Sequence, residues 1–351
     1  MRAACVITSI MPPNDAVGSF AASQDIDHVI VVGDRKSPPS YALGGVRFMS
    51  VAEQEGLGWR VLAQLPYNHY CRKVLGYLEA ARAGAEFILE SDDDNLVIPG
   101  RQCAIWRCSS HHEFGPATDA LRFVNVYRHF TDQFIWPRGL PLRAIVGSNA
   151  SPELAVPSGT AHRIGVWQGL AQGDPDVDAI YRLTYGGECN FRDEPPVTLA
   201  PGVVCPFNSQ NTAFLAELLP LMYLPAFVTF RYTDILRSLV AQPILWATGL
   251  RLCFVPASVV QLRNAHDLLR DFESEVPMYL TTERAIELAA SAVSASQSIG
   301  DNLASAYAAL ERGGIVESRE RHLLDLWLAD CERALRGRQG IPHGDQALAS
   351  P

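Results

Sequence analysis

The sequence predicts an α/β fold, a doubly wound mixed sheet with a C-terminal helical appendage, and three observations carry that expectation. Strand and helix signals alternate over the first hundred residues, the pattern of a largely parallel sheet with helices on its faces. The acidic run Glu90-Ser91-Asp92-Asp93-Asp94-Asn95 directly follows the apolar run Phe87-Ile88-Leu89. Open α/β sheets bind ligands at the carboxyl ends of their strands, so the acids stand where a ligand is expected. Beyond Thr281 the chain turns to helices rich in alanine and leucine.

Each element has a local reason. Residues 5–10 (CVITSI) form a first apolar strand that includes Thr8. Asn14 and Asp15 can cap a helix through residues 16–20. Residues 28–32 (HVIVV) form a second strand ending at Gly33-Asp34-Arg35-Lys36, and residues 46–49 a third. From 70 to 83 the apolar residues Val74, Leu75, Tyr77, Leu78 and Ala81 recur at helical spacing, with Gly84 as the stop. The strand bearing the acids comes next. Between 99 and 206 prolines and glycines are frequent, and 123–127 and 180–183 read as short strands in a region of loops and antiparallel pieces. Residues 215–247 read as helix broken by prolines, and 252–255 as a late strand. The expected domains are 1–278 for ligand binding and catalysis, 279–339 for the helical segment, and 340–351 as a disordered tail. In the helical segment Leu323, Leu324, Leu326, Trp327, Leu328 and Leu335 supply an apolar face, for core packing first and a homodimer contact second.

Composition limits the function. With 351 residues, 48% hydrophobic and 19% charged, the chain is globular rather than disordered. A net charge of −9 argues against broad nucleic-acid binding, which needs a basic face. No stretch suits a membrane span or a signal segment. Eight cysteines, none at C-x-x-C spacing, read as reduced thiols. The expectation is a cytoplasmic protein.

Several residues can carry chemistry. Asp92, Asp93 and Asp94 repel one another unless a cation joins them, and a hard divalent ion carrying substrate phosphates would do so; a solvated acidic turn is the commoner reading of such a run. Asp34, with Arg35 and Lys36, suits either a nucleotide site or a solvated turn. Arg72 and Lys73 near a helix start oppose the macrodipole, and a diphosphate or a surface acid would compensate them. Arg138 sits in Ile135-Trp136-Pro137-Arg138-Gly139-Leu140-Pro141-Leu142, a frame stiffened by two prolines that suits bidentate anion recognition. Asp174, Asp176 and Asp178 alternate, as in a turn or a second cation site. Asp234 and Arg237 lie at i,i+3 spacing, as a structural pair or with Asp234 as a general base. His266 follows the late strand, and a lone histidine is more often structural than a ligand.

Taken together, the segments VIVVGDRKSP (29–38), LPYNHYCRKVLGYLEAARAGAEFILESDDDN (65–95), VNVYRHF (124–130), IWPRGLPL (135–142), VWQGLAQGDPDVDAIYRLT (166–184), FNSQNTAFL (207–215), TFRYTDILRS (229–238) and VVQLRNAHDLLRDFESEVP (259–277) resemble the STELLO-type glycosyltransferases. More distantly they resemble the reversibly glycosylated polypeptides that act as UDP-arabinopyranose mutases. The resemblance implies a GT-A-like fold with Asp92, Asp93 and Asp94 as its DXD metal and diphosphate motif. It implies Mn²⁺ or Mg²⁺ on Asp92 and Asp94, completed by a late histidine, here His266. Thr8, Asp34, Arg35, Arg72 and Lys73 join Asp92 and Asp93 toward the nucleotide sugar, and Arg138 matches the arginine that the mutases glycosylate.

The function this implies is metal-dependent glycosyl transfer from a nucleoside diphosphate sugar, a UDP-sugar foremost, to a saccharide or other hydroxyl acceptor. Arg138, Asp234 and Asp176 form the catalytic set, either carboxylate being a candidate base. One alternative is a UDP-sugar mutase with transient glycosylation of Arg138. Another is a non-catalytic sugar-nucleotide-binding regulator of polysaccharide synthesis.

Overall fold

The apolar runs of the first hundred residues pair as parallel strands. The computed structural model describes residues 2–101, 103–115, 121–153, 155–158, 162–262 and 267–337. β1 (Ala3–Thr8), β2 (His28–Val32), β3 (Val46–Met49) and β4 (Phe87–Asp92) lie in the order β3-β2-β1-β4. Thr8 pairs in register with Val32 on one side and Asp92 on the other. The carboxyl ends of three strands therefore converge, and Thr8, Asp34 and Asp92 with them.

Alternate residues of β1 face different cores. Ala4 and Val6 pack with Val74, Leu75 and Leu78 of the Lys73–Arg82 helix. Ala3, Cys5 and Ile7 pack with Val17 and Phe20 of the Asp15–Ala21 helix, which Asn14 caps through the Val17 amide. Burial on both faces explains why these strands read as unbroken apolar runs. Gly76 allows the close approach of helix to sheet, since a Cβ there would stand 2.3 Å from Val6 Cγ1.

Beyond β4 the sheet becomes mixed. The Asn211–Leu215 strand pairs antiparallel with β4, then with the Ile164–Gly173 strand, whose parallel neighbour is the Arg251–Gln261 strand. Asn95–Val97 pairs back onto this last strand, placing Gln261 opposite Asn95 beside the acids. Two short-strand expectations fail. Residues 180–183 lie in the Ala179–Thr184 helix, because Asp178 accepts from the Tyr181 amide and starts a helix there. Within 123–127 only Arg122–Phe123 is strand, and Tyr127–Phe130 forms a single helical turn. The late strand is longer than expected, eleven residues from Arg251 to Gln261.

The C-terminal helices are Leu268–Ala292, Ile299–Arg312 and Ser318–Gly337. The first crosses position 278/279 without a break, so the expected division falls inside a helix. Leu323, Leu324 and Trp327 are buried in the core shared with the sheet. Polar anchors reinforce this packing. Glu320 accepts from the amides of Ala226 and Phe227, Asp330 from the Val61 amide, and Trp327 Nε1 donates to the Pro220 carbonyl. Among the described residues no helix is long and apolar enough to cross a membrane, and the eight cysteines are free thiols. The 340–351 tail lies outside the described residues.

Candidate functional site

At the carboxyl ends of β1 and β4 lies a cleft of about 240 Å³, lined by Thr8, Asp92, Asp93, Asp94, Arg138, Asp176 and Asp234 together with Tyr70, Ser209, Gln210, Phe230, Arg231 and Gln261. A second cavity of about 200 Å³ contains Asp34, Lys36, His69 and Arg72, and shares Thr8, Tyr70, Asp93 and Phe230 with the first. Residues scattered from position 8 to position 261 thus meet in two adjoining spaces.

β4 extends into the acidic run, so Glu90, Ser91 and Asp92 are strand residues. Glu90 points down into the core, where Arg237 Nη2 lies 2.6 Å from its carboxylate and the Tyr77 hydroxyl donates to it. The i,i+3 partner expected for Arg237 is therefore wrong: it pairs with Glu90 across 147 residues, not with Asp234. Asp92, Asp93 and Asp94 turn outward and are each half-buried. Lys73 is fully buried beneath them, donating to Asp92 Oδ1 at 3.0 Å and to the Ser91 carbonyl at 2.9 Å. Its helix-start charge is answered by a site acid rather than a surface one. Asp93 accepts from Ser9 Oγ at 2.5 Å, and burial pushes its pKa up. Gln261 donates to Asp94 at 3.3 Å.

The opposite wall is a buried ion cluster. Gly139 holds a φ of +88°, and a Cβ there would lie 2.6 Å from Ile235, so the Pro137-Arg138-Gly139 turn fits closely against the Thr233–Ala247 helix. This aims the 5% exposed Arg138 between two carboxylates. Its Nε and Nη2 donate to Asp176 at 2.9 and 2.8 Å, and Nη1 and Nη2 to Asp234 at 3.0 Å each. Nη1 also donates to the Arg231 carbonyl. All five N–H groups of the guanidinium are thereby used. Burial alone would lower the Arg138 pKa, but Asp176 and Asp234 outweigh it and hold it well above the usual value. Burial would likewise raise that of Asp234; Arg138, Arg237 and the Ser209 amide hold it well below the carboxylate range.

The alternating acids Asp174, Asp176 and Asp178 do not converge on a second cation site. Asp174 pairs with Arg182, Asp176 with Arg138, and Asp178 accepts from Trp136 Nε1 at 2.7 Å and the Tyr181 amide at 2.8 Å. Burial lifts the Asp178 pKa to about 6.

On the second cavity, Asp34 accepts from the His69 amide at 3.2 Å. His69 Nδ1 accepts from the Cys71 amide at 3.0 Å, which leaves the proton of the neutral ring on Nε2, and burial pulls its pKa down to about 4. Arg72 is buried against Gln54 Oε1, 2.9 Å from Nε, with no carboxylate in ion-pair range among the described residues. Burial lowers its pKa while the charge of Asp34 opposes the fall. Arg35 lines neither cavity; it is exposed, 3.7 Å over the Tyr67 ring. His266 lies outside the described residues.

Six cleft residues carried no sequence signal that singled them out: Tyr70, Ser209, Gln210, Phe230, Arg231 and Gln261. Two of the six, Tyr70 and Phe230, meet edge to face at 4.7 Å between the two cavities. Only their position inside the family-like segments could have marked them.

A β3-β2-β1-β4 parallel half, an antiparallel strand beside β4 and an acidic strand end opening on paired cavities together define a GT-A-like α/β fold. The family model described as STELLO glycosyltransferases matches residues 231–336. The chain is 32% identical over 236 residues to the Arabidopsis thaliana protein described as "Probable glycosyltransferase STELLO1", and 32% over 246 residues to its companion STELLO2. These matches cover 63% and 66% of this chain, and the STELLO-type resemblance is borne out. The chain spans about a third of the length of these relatives, 30% and 32%. Among solved structures, a mycobacterial protein (10% identity, 81% of this chain and 75% of that one, TM-score 0.39) and the M. tuberculosis glucosyl-3-phosphoglycerate synthase (11%, 81% of each, TM-score 0.38) are similar over most of the chain. The matched family segment holds Arg231, Asp234 and the C-terminal helices, whereas Asp92–Asp94 lies outside it.

Proposed function

We propose that the chain transfers a glycosyl group from a nucleoside diphosphate sugar, a UDP-sugar foremost, to a hydroxyl acceptor, with the help of Mn²⁺ or Mg²⁺. The observation that carries this reading is the lining of the cleft: five aspartates against two guanidiniums. Arg138 is taken up by Asp176 and Asp234, and the cleft's remaining acids are Asp92, Asp93 and Asp94, with the buried Lys73 beneath Asp92. Like charges about 4 Å apart at a protein surface repel by about 4 kcal/mol. A divalent cation removes that cost.

The donors fit such an ion. Asp92 and Asp94 offer half-exposed carboxylate oxygens, suited to a hard cation that takes its remaining ligands from phosphate and water. Among the described residues no group of three His, Cys, Asp or Glu is arranged to hold a metal ion, so the proposed ion would depend on phosphate and water for most of its ligands. When bound, the ion would stabilise charge on the departing diphosphate. The chain's own residues do the rest. The second cavity receives the nucleoside, with Asp34 and Lys36 at its wall and Arg72 as a buried cation facing the phosphates. Asp176 and Asp234, held in place by Arg138, stabilise positive charge developing on the sugar ring. A base works best with a pKa near the working pH, so the strongly lowered proton affinity of Asp234 favours this electrostatic role over proton abstraction.

The same bonding favours transfer over the mutase alternative. To attack a sugar, Arg138 would have to lose a proton and release its partners, while both neighbouring carboxylates hold it charged. The test is release of UDP from UDP-sugars with and without Mn²⁺, with intact-mass analysis of the protein. Mn²⁺-dependent release that Asp92→Ala/Asp94→Ala abolishes, without an adduct, is expected. Release that persists in that variant with chelator present refutes the metal site, and a sugar adduct on Arg138 refutes the preference for transfer.

A further inference from the structure

The Leu268–Ala292 helix reaches into the wall of the cleft. Glu275, on its second turn, has no solvent exposure. Its Oε1 lies 2.9 Å from both Nε and Nη2 of Arg231, and its Oε2 accepts from the Ala179 amide at 2.7 Å and the Tyr279 hydroxyl at 2.5 Å. The preceding Ser274 Oγ accepts from the Arg231 amide at 3.2 Å. Arg231 in turn donates to the Val177 carbonyl at 3.3 Å, stands 3.9 Å from Asp176 Oδ1, and gives its own carbonyl to Arg138. One carboxylate from the Leu268–Ala292 helix thus joins the chain at 176–179 to the chain at 231, and Asp176 and Arg231 line the cleft.

Packing does not call for a charge there. A buried carboxylate is costly to desolvate, and an apolar residue of similar volume often serves stability as well or better. What only the carboxylate supplies is the placement of Arg231 and, through it, of the Arg138–Asp176 pair. We propose that Glu275 is a positioning residue for glycosyl transfer and that the Leu268–Ala292 helix, the first of the C-terminal helices, is thereby part of the active site. The catalytic half of this inference rests on the transfer reading above; the positional half does not.

The experiment compares Glu275→Gln, Glu275→Ala and Tyr279→Phe in the full chain. Glu275→Gln keeps the size and an oxygen for the Ala179 amide but drops the charge on Arg231. Its affinity for UDP with Mn²⁺ should stay within about twofold of wild type, while kcat falls about tenfold to a hundredfold. Added to Arg231→Met it should cost little more, since both act through one contact. Tyr279→Phe removes one donor to Glu275 Oε2 while leaving the Arg231 contact in place, so its loss of kcat should be smaller than that of Glu275→Gln. Hydrogen exchange gives a reading that needs no turnover: in Glu275→Ala the Ala179 amide should exchange at least about tenfold faster while β1 amides remain protected. Unchanged kcat in Glu275→Gln, or a loss of kcat that merely parallels global unfolding, overturns the catalytic half. An Ala179 amide as protected in Glu275→Ala as in wild type overturns the positional half. If wild type itself shows no turnover, the transfer reading fails, and the exchange result still decides whether Glu275 holds the wall.

Discussion

Two acidic groups face each other across the cleft, and their surroundings differ. Asp176 and Asp234 are buried, and Arg138 uses every donor it has on them and one carbonyl. Asp92, Asp93 and Asp94 are half-buried, and among their partners are Lys73 for Asp92, Ser9 for Asp93 and Gln261 for Asp94. The same side chain therefore takes two roles. The buried pair is finished within the protein and holds a fixed charge pattern. The half-buried run faces the cleft, where the proposed cation and donor substrate would meet it.

Breaking the finished side should have the largest effect. Arg138→Ala leaves two buried carboxylates without their cation, a change of the kind that costs about 3–5 kcal/mol. Urea unfolding of this variant should show a correspondingly lower midpoint. Equal stability to wild type would mean that water already serves these acids. On the acidic-run side, Asp92→Asn/Asp94→Asn should lower the midpoint less than Arg138→Ala, because the buried Lys73 keeps the Ser91 and Ser209 carbonyls as acceptors when its carboxylate partner goes. UDP release, by contrast, should fall on the order of a hundredfold as charge stabilisation is lost. A variant that unfolds easily but turns over normally would invert the comparison.

Asp178 sharpens it through pH. Its folded pKa, about 6, lies above the ordinary aspartate value near 3.9, so the folded state holds its proton more tightly. This contribution therefore favours the folded state below about pH 4 and is lost as pH rises through about 6. The gap of roughly two units corresponds to about 2–3 kcal/mol. Wild type should gain on Asp178→Asn as pH falls from about 6.5 to 4. Melting temperatures of the two proteins across that range measure it, and parallel curves would refute it. The smallest effect belongs to Asp174, which is partly exposed beside Arg182. Asp174→Asn should cost under about 1 kcal/mol, despite sitting two residues from Asp176. Matched denaturant curves of Asp174→Asn and wild type check it.

The sequence made the parallel half of the fold legible because β1, residues 29–32 of β2 and residues 87–89 of β4 are apolar runs packed within the sheet. The middle strands were hidden by the polar residues they bury. Gln168 accepts from Thr212 Oγ1 at 2.9 Å and from the Asn208 amide at 2.9 Å, and Asn211 donates to Ser258 at 2.9 Å. Such a ladder satisfies itself only once the strands are paired, so no local run reveals it. Residues 180–183 misread as strand because Ile180-Tyr181-Arg182-Leu183 has strand-like composition, while the deciding group was the cap at Asp178. The site divides in the same way. Asp92–Asp94 was legible because its neighbours in sequence are its neighbours in space. Arg138 could be singled out from its proline frame, but its partners stand 38 and 96 residues away. The local pairing of Asp234 with Arg237 was therefore the natural reading and the wrong one.

The measurement that bears most directly on this account is a calorimetric titration of UDP-glucose, as a representative donor, into wild type and into Asp92→Asn/Asp94→Asn, each with Mn²⁺ and with chelator. The account predicts binding to wild type that weakens at least about tenfold when Mn²⁺ is removed, a loss of about 1.4 kcal/mol or more. It also predicts that the variant binds with the weaker affinity under both conditions. Equal affinity in wild type and variant, or a Mn²⁺ effect that survives the double substitution, would contradict it.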